Sequence, residues 1–499
     1  MDPLSRRVAL KIAAAGTTVL GLKDAVAAAE GTAQADDGSV GRLEKTQDRV
    51  WLGGEFWANP MEDWRVVDGA AECQNTAGDR NVHLTTHQLT NPAGSFAMSA
   101  RIERVETTRG DGGAGFRIGV RSDINEHRSN SFAKGGPRAG IVNGALVLGQ
   151  ASKKIEGEAN PQSFVLKVSG APAGKQYKLT LSAEAADTGK SLGSVELMTT
   201  PDAILGNVAV VNNFDPGLKR GQGARYRFSE WKASGDAFTI DQQRMFGPIL
   251  WAMYTLSDSR SDEGFVMKIS ALTGPLGAKD NHNVELQIEQ DSGWKSLGEA
   301  QLDSDAWTAV FRIANWNEKA ATRYRLVYRE HLRDGSQNET SFGGTIRANP
   351  AGRPLRLGAL TCQNDYAFPY EPVAKNLLRL DPDMLYFSGD QLYENHGGYG
   401  LIRDPAEPAI LNYLRKFYQH GWAFRDVMRD RPTVCIPDDH DVFQGNIWGE
   451  GGAPMIQGTT SSEGGYREPA RMVNVVHRTN AGHHPDYFDP APCKQDISV

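Results

Sequence analysis

From Gly41 to about Gly235 the chain alternates apolar and polar residues with a period of two. Phe96, Met98, Ala100 and Ile102 make one such run, Phe116, Ile118 and Val120 a second, and Tyr177, Leu179 and Leu181 a third. Successive side chains of a strand point to opposite faces, so this spacing predicts half-buried antiparallel strands. Turn-forming stretches such as Arg109-Gly110-Asp111-Gly112-Gly113 separate them, and the pattern predicts a β-sandwich whose closing strand covers 225–231. A second β-rich stretch has strand candidates at 265–272, 284–289, 307–313 and 324–330. Beyond Asn349-Pro350-Ala351-Gly352-Arg353-Pro354, where two prolines and a glycine break any strand, strands and helices alternate. Buried-strand runs start at Leu355, Met384 and Thr433, with helices predicted over 372–380 and 408–430, the second interrupted by Gly421. A βαβαβ series of this kind forms a parallel sheet whose ligands gather at the carboxyl ends of its strands.

A chain of 499 residues exceeds what one core supports. The pattern divides it into residues 1–40, a sandwich over 41–235, a small immunoglobulin-like β domain over 236–348 and an α/β part over 349–499. With 39% hydrophobic and 23% charged residues and a net charge of -7, it has the composition of a globular protein with no general attraction for nucleic acid. After the N-terminal segment no run is long and apolar enough to span a bilayer. The four cysteines, Cys73, Cys362, Cys435 and Cys493, are too scattered for a disulfide framework.

Ser5-Arg6-Arg7-Val8-Ala9-Leu10-Lys11 precedes a weakly apolar run to Leu22, followed by the small residues Ala25, Ala27 and Ala29. This resembles a twin-arginine signal and implies export, to the periplasm, the cell surface or the medium. The first β region is similar to the concanavalin-like sandwiches attached to many exported hydrolases. Trp51, Trp57 and Trp64, with His83 and His87, could line a carbohydrate groove there, but aromatics of a sandwich more often fill the space between its sheets.

The strand exits concentrate chemistry. Asp390 follows the run from Met384, and Asp438-Asp439-His440-Asp441 follows the run from Thr433. An acid able to bridge cations, a second acid and an imidazole suit metal-assisted hydrolysis. Gly389-Asp390-Gln391-Leu392-Tyr393 and Asp438-Asp439-His440-Asp441-Val442 resemble the signatures of the alkaline phosphatase D family of metallophosphoesterases. The resemblance implies a partial α/β metallophosphoesterase domain acting on phosphate esters. It makes Asp390 a bridging metal ligand, Cys362, Tyr393, Asp439 and Asn446 further ligands, and His440 the catalytic group at the leaving oxygen. It implies iron with calcium; zinc and manganese are the alternatives. The family's late ligands are not matched before Val499, since Gly482-His483-His484-Pro485 has adjacent histidines, so a truncated and poorly active domain is expected. His396, His420 and His477 are expected to be solvated or packed. The alternative reading is an exported carbohydrate-binding β-sandwich protein with an inert phosphatase remnant.

Overall fold

The alternation over Phe96–Thr107 becomes one buried face, on which Phe96, Met98, Ala100 and Ile102 are each at most 3% exposed. The structure, a computed structural model, describes residues 38–110, 112–156, 161–291, 293–444, 454–456 and 465–486. The expected export signal as far as Asp37, the candidate ligand Asn446 and Cys493 lie outside the described residues.

Two antiparallel sheets enclose the first core. One has the order Phe56–Asn59, Arg80–Leu89, Gly206–Asn212, Ala114–Val120, Arg138–Val142, Ala145–Leu148 and Ala151–Lys154, with Phe238–Ile240 also paired to Arg80–Leu89. The other runs Ser191–Thr199, Gln176–Ala185, Ser163–Ala173, Phe96–Thr107, Ala224–Ser234, Ala70–Cys73 and Trp64–Val67. Trp64, Phe116, Phe164, Leu179 and Phe228 fill the space between them, as alternation on two facing sheets requires.

A three-stranded antiparallel sheet follows (Ile249–Asp258, Phe265–Thr273, Thr308–Ile313), with a four-stranded one (Gly293–Gln301, Asn283–Gln290, Thr322–His331, Gln337–Ile346). The last part holds three parallel strands, Leu357–Leu360, Met384–Phe387 and Thr433–Cys435, and the helices Glu371–Leu380, Ala406–Met428 and Ala470–Ala481. The phosphatase resemblance implied a partial α/β metallophosphoesterase domain at this point. That expectation is corrected: among the described residues no fourth strand joins these three.

The second core is continuous across the proline-rich linker, taking in Trp251, Leu286 and Tyr328 before it and Phe387, Phe417 and Val475 after it. Its centre is Ala406–Met428, buried on nearly every face. Gly421 explains the interruption in that helix's apolar pattern. A Cβ there would stand 2.2 Å from the Trp251 ring, so only glycine lets the helix lie on this indole. Trp57 stacks on Trp422 with ring centroids 4.5 Å apart, and Phe246 continues the stack. Trp51, Trp57 and Trp64 are therefore buried packing residues, at most 8% exposed.

A polar seam runs beside this stack. Arg415 pairs through Nε with Glu62 Oε2 at 3.0 Å, and Asn412 Nδ2 donates to the other Glu62 oxygen at 2.8 Å. Lys416 donates to Asn412 Oδ1 and to the Gly400 carbonyl over the Phe443 ring. Burial, reinforced by Arg415, pushes its ammonium down to about 6 from 10.5. The folded chain then binds fewer protons here than the unfolded chain between these values, so stability rises with pH across that window. Urea unfolding at several pH values from 6.5 to 9 is expected to show this rise in the parent and a flatter dependence in Lys416→Met. Equal slopes would mean that the ammonium stays charged in the fold.

Candidate functional site

The parallel strands end in register, Leu360 opposite Phe387 and Phe387 opposite Cys435, so the residues that follow them meet at one edge. Backbone bonds extend the pairing, from Cys362 N to Gly389 O and from Gln363 N to Asp390 O. Cys362 and Asp390 have φ of 56° and 54°, a left-handed conformation that non-glycine residues adopt rarely and that clusters at functional sites. Gly389, at φ 106°, allows the chain to pass close to Asp438, whose Cβ would stand 2.3 Å from an added Cβ.

Asp441 fixes this turn. Its carboxylate accepts from the backbone amides of Asp390 (2.8 Å), Gln391 (3.0 Å) and Asp438 (2.9 Å), tying two strand exits together. Burial pushes the Asp441 carboxyl up to about 8, the Asp390 charge adds to this, and the amides pull against both. Gln391 Nε2 bonds the Ile436 carbonyl and Asn480 Oδ1, anchoring the same loop to the last helix.

Asp390, Asp439 and His440 each present one ligand atom, all within 4.8 Å of one another. Tyr393 Oη donates to Asp390 Oδ2 at 3.0 Å, and Cys362 Sγ lies 3.5 Å from the same oxygen. Asp390 Oδ1 is buried without a hydrogen-bond partner. Glu394 Oε2 is 2.9 Å from His440 Nδ1, the kind of contact that orients an imidazole whose other nitrogen binds a metal. Burial raises the Tyr393 phenol, with Cys362 and Asp390 adding to the shift. Burial also raises Asp439, His440 opposing and Asp390 reinforcing. Anionic groups crowded in this way are stabilised by a cation, and the unpartnered Asp390 oxygen points to the same need.

Five of the six residues singled out from the sequence, Cys362, Asp390, Tyr393, Asp439 and His440, thus come together; the sixth is Asn446. Glu394 and the role of Asp441 were not foreseen, and no spacing signals them. The other histidines do not join the group. His396 and His420 are each 3% exposed, and burial pushes both down to about 3. His483 Nε2 contacts the Thr433 carbonyl, and His484 Nε2 accepts from Cys435 N, so this pair flanks the last parallel strand. Cys73 and Cys435 are buried thiols pushed up by desolvation.

A cavity lies elsewhere, where Arg80–Leu89 ends against the long helix. It measures about 550 Å³ and is lined by Gln88, Asn125, Glu126, Asp241, Arg244 and Trp422, among others. Arg244 donates to Gln88 Oε1, Gln88 reaches Asn125, and Glu126 holds Arg128, so the polar lining is pre-ordered.

No family model matches the chain, and no curated protein matches it. Among solved structures it is similar to lectin II from Ulex europaeus, at 14% identity and a TM-score of 0.25, over 38% of this chain and 96% of that one. A point mutant of the Emp46p carbohydrate recognition domain is matched at 10% identity and a TM-score of 0.26, over 39% and 94%. The Ca2+/Man3GlcNAc-bound VIP36 exoplasmic/lumenal domain is matched at 10% and 0.22, over 36% and 81%. With no family model and no curated protein matching, the expected membership of the alkaline phosphatase D family is corrected. The expectations of a hydrolase, of phosphodiesterase activity and of a phosphate-ester substrate fall with it, because they rested on two short motifs. An acid after a parallel strand is a product of local turn chemistry as well as of that family.

Proposed function

We propose that this protein is an exported carbohydrate-binding β-sandwich protein that carries a metal ion beside its parallel sheet. The observation behind the sugar reading is the cavity of about 550 Å³ at the end of the sandwich. Its amides, carboxylates and guanidinium groups are planar and bidentate, which suits adjacent hydroxyls. Export follows from the N-terminal pattern alone. Among the described residues no helix is long and apolar enough to cross a membrane. The three- and four-stranded sheets are read as an immunoglobulin-like module that joins the sandwich to the parallel sheet.

Glycan-array screening followed by calorimetry on the full chain tests the sugar reading. An oligosaccharide ligand is expected, and Gln88→Ala should weaken it by about tenfold, which is about 1.4 kcal/mol. Binding of no glycan, or equal binding by the variant, removes the cavity from the function.

The residues around Asp390 fit a cation: a carboxylate with an unpartnered buried oxygen, a second acid, an imidazole, a phenol and a thiol. Phenolate and thiolate donors favour trivalent iron, with zinc or manganese as alternatives. An ion bound there would neutralise the crowded acids and order the two strand exits.

A further inference from the structure

We infer that the cleft between the sandwich loop at 129–134 and the loops leaving the parallel sheet is a second sugar site, one that holds a single neutral pyranose ring. The cavity measures about 180 Å³ and is lined by Phe132, Asp365, Phe368, Gly397, Tyr399 and Gln419, with Lys134 at the sandwich side. At ~30 Å³ per water it has room for about six waters, enough for one ring and too little for a chain. Phe132 and Phe368 meet edge to face with centroids 5.2 Å apart, giving an apolar wall. Gln419 supplies the opposing polar contact. Its side chain is buried, at 2% exposure, and its Nε2 has no hydrogen-bond partner. A buried donor left in this state is costly, and few native groups are. A ligand hydroxyl would satisfy it.

Asp365 adds an acceptor. Its side chain is partly buried, and the Gly397 backbone amide lies on its side of the cleft. The lining thus offers one donor amide, one acceptor carboxylate and aromatic surface, while the Lys134 and Asp365 charges oppose each other and disfavour a strongly charged ligand. Gly397 keeps the space open. At φ +68° it has the backbone of a glycine, and a Cβ there would stand 2.9 Å from Gln419 Nε2 and 3.0 Å from the Phe132 ring. Both loops start at the Asp390 cluster, one just after Cys362 and the other just after Tyr393, so a bound ring would adjoin the candidate metal centre.

The ligand class rests on the carbohydrate reading above; the location does not. The test is saturation-transfer NMR and calorimetry on the full chain with methyl glycosides of glucose, galactose, mannose and N-acetylglucosamine. At least one glycoside is expected to bind, with affinity reduced tenfold or more in Gln419→Leu and in Asp365→Asn. The second variant is nearly isosteric and only partly buried, so it decides the matter if Gln419→Leu fails to fold. Absence of binding by any of the four glycosides, or equal binding by Asp365→Asn, overturns the site. Oligosaccharide binding and its response to Gln88→Ala report the larger cavity, so the two ideas fail independently.

Discussion

Arg415→Leu is expected to lower the unfolding free energy by about 3–5 kcal/mol, the range for removing one partner of a buried ion pair. The Arg415 side chain is 1% exposed and that of Glu62 4%, so neither charge can turn to water. Burial alone would raise the Glu62 carboxyl, yet Arg415 and the Asn412 amide together hold it below its usual range. Without the guanidinium, Glu62 loses its ion-pair partner and keeps the weaker Asn412 amide, and the carbonyls of His396 and Gly398 lose their donors. A carboxyl held low contributes stability above its unfolded value of 4.5, and that contribution disappears as pH falls through the folded value. The difference between parent and variant should therefore be largest near pH 7 and shrink toward pH 4. Glu62→Gln in the Arg415→Leu background should recover part of the loss, because it removes the stranded charge. Urea titration followed by tryptophan fluorescence monitors the Trp57–Trp422 stack across the same contact. A loss below about 1 kcal/mol would place the pair in the class of solvated surface bridges.

What the sequence revealed depended on which physics produced each element. The sandwich strands carry one buried and one polar face, so their period of two is visible, and the predicted closing strand at 225–231 lies inside the observed Ala224–Ser234. Ile249–Asp258 is buried on both faces through Thr255, and Gly293–Gln301 is mostly exposed along its length. Neither strand alternates, and neither was foreseen. The helices at 372–380 and 408–430 were legible from helical spacing and correspond to Glu371–Leu380 and Ala406–Met428.

The candidate metal centre was legible for a different reason. A short buried strand delivers the residue after it to the sheet edge, so acids at strand exits in a βαβαβ series must converge. Convergence is a property of topology, and it holds whether or not the chain is a phosphatase. The family assignment needed more than convergence, and the same two motifs could not supply it. Glu394 and the long-range pair of Glu62 with Arg415 had no sequence signal, since partners 353 positions apart are brought together only by packing.

Asp390→Asn is expected to abolish metal retention, whereas Glu394→Gln should weaken it by about 10–100-fold, the range for a group that orients a ligand from behind. Asp390 contacts both Tyr393 and Cys362, and its Oδ1 is unpartnered among the described residues. Asparagine keeps the shape and the backbone bond to Asp441 but removes the charge that opposes a cation. The phenol and thiol would then stay protonated, because their anionic forms need that cation nearby. Elemental analysis of the protein purified without chelator, followed by competition with a graded chelator, measures both effects. Iron in the parent would also give a visible phenolate charge-transfer band that Tyr393→Phe removes, while zinc would give none. Unchanged metal content in Asp390→Asn would remove this carboxylate from the centre and leave its buried oxygen without an explanation.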